Sequence, residues 1–459
     1  MGAERACIIG AGSSGIVAAK VLRERGLPFD CYEKGSGIGG NWRYRNDNGF
    51  SSIYRSLHIN TSRDRMAFSD FPMPAHYPDF PHHTQILAYF EDYVDHFGVR
   101  GAITFRTEAL KVEPVGDGTY DVTVRRLDAG GTYTERYGAV LVANGHHWDP
   151  NWPDLEGTFD GPVLHSHQYK TPGIFEDKRV LVVGIGNSAC DIACEATFTA
   201  RRTILSTRRG AHVVPKYMLG KPLDAFTTPL SSRLPLWLQR RVAAGLLFLA
   251  RGKQAWYGFP TPDYPIGSEH PTVSSDLLTL VGHGKIDVRP DVERLLGRRV
   301  RFVDGTGADV DIILYATGYN ITFPFFEADF LQAEANRLPA YLHVVPPAHP
   351  NLYFIGLIQP LGAVMPLAEI QCEWVADLLA GEAGLPARAV MDAAIRKEEA
   401  ALARRYVASK RHTIQVDFFP YKRALEQERM RGRKQPPNRA LPAAKISRAS
   451  PTVAPLRNT

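Results

Sequence analysis

Two apolar runs in this chain end in glycine clusters of one form. Cys7-Ile8-Ile9 leads into Gly10-Ala11-Gly12-Ser13-Ser14-Gly15, and Val180-Leu181-Val182-Val183 leads into Gly184-Ile185-Gly186-Asn187-Ser188-Ala189. A G-x-G-x-x-G/A cluster turns a strand sharply into a helix and aims backbone N–H groups at a pyrophosphate. One copy alone says little, but two imply that electrons pass between two dinucleotide carriers. The second strand of each unit ends in a charged residue, and the two signs are opposite. Glu33 lies 23 residues beyond Gly10, near the spacing at which a carboxylate grips ribose hydroxyls, so the N-terminal unit suits FAD. Arg208 follows Ser206 and Thr207, 24 residues beyond Gly184. Its planar fork suits a 2′-phosphate, so the second nucleotide should be NADPH rather than NADH.

A hydride passing from NADPH to FAD leaves the final acceptor to be named. A dithiol reductase needs a redox cysteine pair beside the flavin. Cys7, Cys31, Cys190, Cys194 and Cys372 form no C-x-x-C pair, and Cys190 and Cys194 belong to the NADP unit. Oxygen is therefore the expected acceptor. His82-His83 and His146-His147 are adjacent histidines in loops, and no metal site is expected.

The elements that must position these groups follow from hydrophobic periodicity. Residues 6–10 read as a buried strand, 13–25 as a helix and 29–33 as the next strand. The glycine-rich loop 36–42 lets backbone approach a cofactor closely. Residues 84–97 are helical in pattern, with apolar positions at 86, 90, 93, 94 and 97. Residues 103–144 alternate as short strands, with Tyr120, Val122 and Val124 on one face, and Pro150, Pro153 and Gly157 mark a crossing between domains. A second dinucleotide unit runs from 179 to about 320. The strand 352–355 then leads through Gln359 to a helix that begins at Pro366 and closes before Gly381. Residues 234–249 carry Trp237 and many apolar side chains interrupted by Arg240 and Arg241, and 242–250 has no polar side chain. That run is far short of the ~20 residues that span a bilayer. A buried helix is the favoured reading; a helix lying on a membrane surface is the other.

Phe159-x-Gly161-x-x-x-His165-x-x-x-Tyr169 resembles the fingerprint of the flavin-containing monooxygenases, placed just ahead of the second glycine cluster. Gly39-Gly40-Asn41-Trp42 is similar to the G-G-x-W segment that lies along FAD in that family. His58-Ile59-Asn60-Thr61-Ser62 resembles its S-N-(T/S) segment, and 311–319 its A-T-G-Y segment. The resemblance spans roughly residues 5–425. It implies an α/β fold with two Rossmann-like dinucleotide-binding domains: FAD-binding parts at 1–155 and 323–431, an NADPH-binding domain at 156–322, and a tail at 432–459. That tail, basic and rich in proline, reads as disordered.

The activity implied is NADPH- and O2-dependent oxygenation of nitrogen or sulfur in a small amine or sulfide, through a C4a-hydroperoxyflavin, of the N,N-dimethylaniline-oxidising type. On the resemblance, Asn60 is the catalytic candidate, since an uncharged group that both donates and accepts can hold flavin N5 and the peroxide without driving its elimination. The resemblance assigns Gly10, Gly12, Ser13, Ser14, Gly15, Glu33, Gly40, Asn41, Trp42, Asn60, Thr61 and Gln359 to FAD. It assigns Tyr169, Gly184, Gly186, Asn187, Ser188, Ala189, Ser206, Thr207, Arg208, Thr317, Gly318 and Tyr319 to NADP. His165 and Tyr169 are expected to couple NADPH binding to domain arrangement, with plain packing as the competing reading. Related Baeyer-Villiger enzymes usually carry Trp or Pro where Tyr169 stands, which favours the heteroatom-oxidising branch. Ketone oxygenation, amine N-hydroxylation and peroxide release by an NADPH oxidase remain the alternatives.

The charge balance, 54 basic against 48 acidic residues with much of the excess near the C-terminus, argues against a nucleic-acid partner. A chain of 459 residues that is 44% hydrophobic can bury a large core in two or three domains. The first strand starts within about five residues, leaving no room for a signal peptide, and the hydrophobic C-terminal anchor of mammalian members is missing. A soluble cytoplasmic enzyme with free thiols is expected, with a homodimer left open. Ser13, where many members have Pro, is the other departure.

Overall fold

The computed structural model describes residues 5–116, 118–407 and 413–436. Each glycine cluster leaves the C-terminal end of the middle strand of a five-stranded parallel sheet. In the first sheet the spatial order is Leu352–Phe354, Ala139–Val142, Ala6–Ile9, Phe29–Tyr32, Ile103–Thr104. The second runs Val163–His165, Ile312–Tyr315, Arg179–Val183, Arg202–Ser206, Ile286–Arg289. Strands covered on both faces read as unbroken apolar runs rather than alternating ones, and Ala6–Ile9 and Ile312–Tyr315 are buried throughout.

The second sheet is inserted into the chain of the first. Leu352–Phe354 returns to pair beside Ala139–Val142 after the whole second unit has been built. The outgoing and returning chains run side by side, with Asp149 and Pro150 paired antiparallel to Asn320 and Tyr319. By Glu156–Phe159 the chain already pairs with Val292–Gly297 of the second unit. The first glycine helix, Ser13–Glu24, buries Ile16 to Leu22 and packs on helix Met365–Leu379. A three-stranded antiparallel sheet, Thr107–Gly116, Thr119–Arg126 and Thr132–Tyr137, turns Tyr120, Val122 and Val124 inward, as its alternation predicts.

The structure departs from expectation in three places. Residues 57–74, which read from the sequence as irregular and rich in polar residues, contain one turn of helix at Arg63–Met66. The helix Leu236–Arg251 is not a core element: only Leu247 is buried, while Trp237 is 59% and Leu249 80% exposed. Its apolar residues surround the helix, but the body covers one narrow seam of it. The last domain also extends past 431, because Gly384 N donates to Gly432 O at 3.0 Å and Arg433 pairs with the fully buried Asp377 at 3.1 Å. The rest of the expected tail, from 437, lies outside the described residues. Among the described residues no helix is long and apolar enough to cross a membrane.

Candidate active site

The two glycine clusters open into one cleft of about 1090 Å³ that runs between the sheets. Close approach of backbones explains the glycines at its flavin end. A Cβ on Gly10, whose φ is +101°, would stand 2.7 Å from the carbonyl oxygen of Ala143. Gly15 does not line the cleft; a Cβ there would fall 1.8 Å from Gly10 O, so it serves the strand-to-helix packing expected of the third glycine. The loop of Gly40, Asn41 and Trp42 sits on the first cluster, with Gly39 N donating to Ala11 O at 2.9 Å. Asn41 Oδ1 accepts from Ser52 N at 2.8 Å and from Ser52 Oγ at 2.9 Å.

Glu33 is buried and accepts three hydrogen bonds: from Ala11 N at 2.8 Å, Gly35 N at 2.7 Å and Asn48 Nδ2 at 3.1 Å. A carboxylate has about four acceptor sites. One therefore remains on Oε2, facing a cleft that Glu33 lines, which fits a ribose hydroxyl. Asn48 was not visible as a partner in the sequence, since asparagines in loops are common and nothing local marks this one. Ser13, Ser14 and Gln359 line the same end.

At the NADP end, Gly184 has a φ of +130° and a Cβ there would lie 2.4 Å from Ala316 O. Arg208 is exposed and lines the cleft, whereas Arg209 is tied to Glu269 at 3.1 Å. Ser206 Oγ donates to Pro290 O at 2.6 Å, and Thr207 Oγ1 accepts from Gly210 N at 3.0 Å, so these side chains shape the turn that presents Arg208. Asn187 also works structurally, its Oδ1 accepting from Val273 N at 2.8 Å. Gly186, Ser188, Thr317, Gly318 and Tyr319 line the cleft. Thr317 Oγ1 donates to Asn151 O at 2.6 Å, securing the crossing between the two sheets.

Asn60 stands in this common cleft, and its Oδ1 is buried with no hydrogen-bond partner among the described residues. An unpaired buried acceptor is costly and marks a place for a donor from a bound group. The loop bearing it is held from both domains. Ile59 N donates to Pro81 O at 3.1 Å and Arg63 N to Asp79 O at 2.7 Å on the flavin side. From the other domain, Asp224 Oδ2 accepts from Ser62 N at 2.6 Å and Lys216 Nζ reaches Ile59 O at 3.4 Å. Leu57, Ile59, Met66, Ile358 and Val364 give the surrounding wall its apolar character. Burial pushes the imidazole of His58 below its usual pKa and that of His146 well below it.

Four assigned residues stand back from the surface of the cleft. Gly15, Thr61, Ala189 and Tyr169 lie outside the cleft lining. Thr61 Oγ1 donates to Gly362 O at 3.5 Å, and Ala189 is packed inside its helix. Tyr169 is fully buried, stacked on Phe175 at 5.5 Å, and its hydroxyl donates to Glu195. Tyr54, from the flavin side, donates likewise to Asp191. Both carboxylates belong to Asn187–Ala196, the helix that starts at the second glycine cluster. Tyr169 of the fingerprint thus grips the helix that starts at the second glycine cluster. Lys170 completes the clasp, its ammonium donating to the carbonyls of Ser51 at 2.9 Å and Ile53 at 3.0 Å. His165 is buried against Trp152 and Tyr319, and Gly161 is required because a Cβ would stand 2.6 Å from Asp311 O.

The model of the flavin-binding monooxygenase-like family matches residues 3–431. The chain belongs to that family. It is 38% identical over 440 residues to the rat protein named Flavin-containing monooxygenase 5, covering 91% of this chain and 81% of that one. It is 35% identical over 438 residues to rat Dimethylaniline monooxygenase [N-oxide-forming] 2, with the same coverage of 91% and 81%. The solved structure of S-allyl-L-cysteine S-oxygenase from Allium sativum superposes with a TM-score of 0.70 at 26% identity, over 93% of this chain and 88% of that one. As a member of the family the protein is a flavin monooxygenase, with FAD and NADPH as its cofactors. The glycine cradles, the free acceptor site on Glu33, the exposed Arg208 fork and the unpaired Asn60 oxygen fit those two groups.

Proposed function

We propose that this flavin monooxygenase oxygenates a nitrogen or sulfur atom of a small amine or sulfide. The observation that carries the reading is the unpaired carboxamide oxygen of Asn60, uncharged and clamped from both domains inside the common cleft. FAD, when bound and reduced by NADPH, supplies the oxygen-activating chemistry. The chain's part is to bind, orient and exclude water. Glu33 receives the ribose of FAD, and Arg208 selects the phosphorylated nucleotide. Asn60 offers a donor and an acceptor without a charge that would promote loss of peroxide. The apolar wall of Leu57, Ile59, Met66 and Val364 keeps water from the reacting atoms.

A lone pair on nitrogen or sulfur attacks oxygen directly, so the substrate needs no general base. The histidines nearest this wall suit that scheme, since burial keeps His58 and His146 neutral near pH 7. The relatives named for N-oxide formation and for S-oxygenation carry out reactions of the kind proposed. All five cysteines are free and buried, which supports work in a reducing compartment. The test gives the purified enzyme a tertiary amine, a thioether and a cyclic ketone in turn. NADPH consumed, product formed and peroxide released are then measured. N-oxide or sulfoxide formed in step with NADPH is expected. Ester from the ketone without heteroatom oxidation, or peroxide equal to NADPH with every substrate, would sink the proposal.

A further inference from the structure

Two aromatic rings stack on each other away from the packed core of either domain. Phe50 and Trp148 have ring centres 4.4 Å apart and planes 25° from parallel. Both are half-buried and both line the cleft. Among the described residues neither belongs to a buried hydrophobic cluster. Lys34 stands over the ring of Phe50, its ammonium 4.6 Å from the ring centre and paired with Glu108 at 2.9 Å. Stacking and the nearby cation hold the two rings together without help from a core. Part of their apolar surface still faces the cleft, where a bound group would cover it.

The anchors of the stack identify that group. Phe50 N donates to Asn48 Oδ1 at 2.8 Å, and Asn48 Nδ2 donates to Glu33 Oε1 at 3.1 Å. The ring of Phe50 is thereby placed from the carboxylate assigned to the ribose of FAD. Trp148 is fixed from the other end of the same cradle. Its Nε1 donates to Gly145 O at 3.1 Å, two residues beyond Ala143, whose carbonyl oxygen presses on Gly10 of the first glycine cluster. The stack therefore joins the ribose end of the flavin site to its pyrophosphate end. We propose that Phe50 and Trp148 form an aromatic cover over the ribose and pyrophosphate of FAD, and that this cover slows release of the cofactor. Rings that keep water from Glu33 leave its charge-assisted hydrogen bond in a less polar medium, where it is stronger. The cover is also tied to the NADP domain. His167 Nε2 donates to Gly49 O at 3.0 Å, and Asp149 and Pro150, directly after Trp148, pair with Asn320 and Tyr319. Retention of FAD in this way is independent of which substrate atom is oxygenated.

The test follows FAD loss from the full-length holoenzyme after dilution, read as the rise in free-flavin fluorescence. Melting temperature is measured beside it, on the holoenzyme and on the apoenzyme from which flavin has been removed. Phe50→Ala and Trp148→Ala are each expected to speed FAD release by about ten-fold, from lost stacking and lost burial together. Trp148→Phe keeps an aromatic ring in the stack and should return release to near the parent's rate. Because the cover acts only on bound cofactor, the alanine variants should lower the melting temperature of the holoenzyme and leave that of the apoenzyme unchanged. FAD released at the parent's rate by the alanine variants would overturn the proposal. So would an apoenzyme that loses as much melting temperature as the holoenzyme, which would make the stack a packing element of the fold. Should Phe50→Ala fail to fold, Trp148→Ala set against Trp148→Phe still decides.

Discussion

Replacing Asn60 by Leu isolates the polar atoms at the centre of the site, because Leu keeps the side chain's size and nearly its shape. The consequence for folding follows from the structure. Oδ1 is buried and accepts from nothing among the described residues, so removing it breaks no bond there and relieves an unpaired acceptor, a change that is neutral or stabilising. Melting temperature and FAD content should therefore stay close to the parent's. The consequence for catalysis is large. One preorganised hydrogen bond to a reacting group is worth about 2.7–4 kcal/mol, or a factor of about 10²–10³ in rate. Losing even the lower value lets peroxide release overtake oxygen transfer. With a thioether as substrate, the amounts of NADPH consumed, sulfoxide formed and peroxide released are read from one sample. NADPH oxidation should continue while sulfoxide per NADPH falls by at least about ten-fold. A variant that keeps the parent's ratio, with peroxide at background, would refute the role given to Asn60.

Arg208→Ala should raise the KM for NADPH by about 10–100-fold and leave that for NADH unchanged, the span expected for charge-assisted hydrogen bonds of about 1.5–3 kcal/mol; an equal effect on both nucleotides would contradict the 2′-phosphate assignment. Gly15→Ala places a Cβ 1.8 Å from Gly10 O, so the first cluster cannot close and the protein should purify without flavin; full FAD content would show that the strand-to-helix turn is not constrained as described. Asp224→Ala removes the acceptor of Ser62 N and should lower product per NADPH several-fold with FAD content intact, whereas unchanged coupling would mean that the Asn60 loop holds itself. Acid stability should depend on His165, whose pKa burial pushes down to about 4. The unfolded imidazole takes its proton first as pH drops below about 6.5, so stability is intact above that pH and lost as pH falls from there through the folded value. His165→Gln should narrow the drop in melting temperature between pH 7.5 and pH 5, and an identical drop in the variant would remove His165 from the account.

What was legible in the sequence was what backbone geometry dictates over short distances. Gly10 and Gly184 must be glycine because carbonyls from Ala143 and Ala316 press on them, and the spacing to Glu33 and Arg208 follows from one strand-helix-strand passage. Such constraints leave a local pattern. Tyr169 shows where a pattern stops short. Its place in the fingerprint marks the neighbourhood of the nucleotide, yet the direction of its ring depends on Phe175 and Glu195, and it turns toward the helix instead of the cleft. Lys216 and Asp224 left no signal because their partners, Ile59 and Ser62, lie 157 and 162 positions away in the chain. The helix Leu236–Arg251 failed as a prediction for a related reason. Composition reports how much apolar surface a helix has, whereas burial depends on what stands opposite. Here only Leu247 is buried, and Arg240 fastens the same inner side. An apolar helix that its own fold leaves uncovered differs physically from a core helix only in its neighbours, and these come from the folded chain rather than from its own residues.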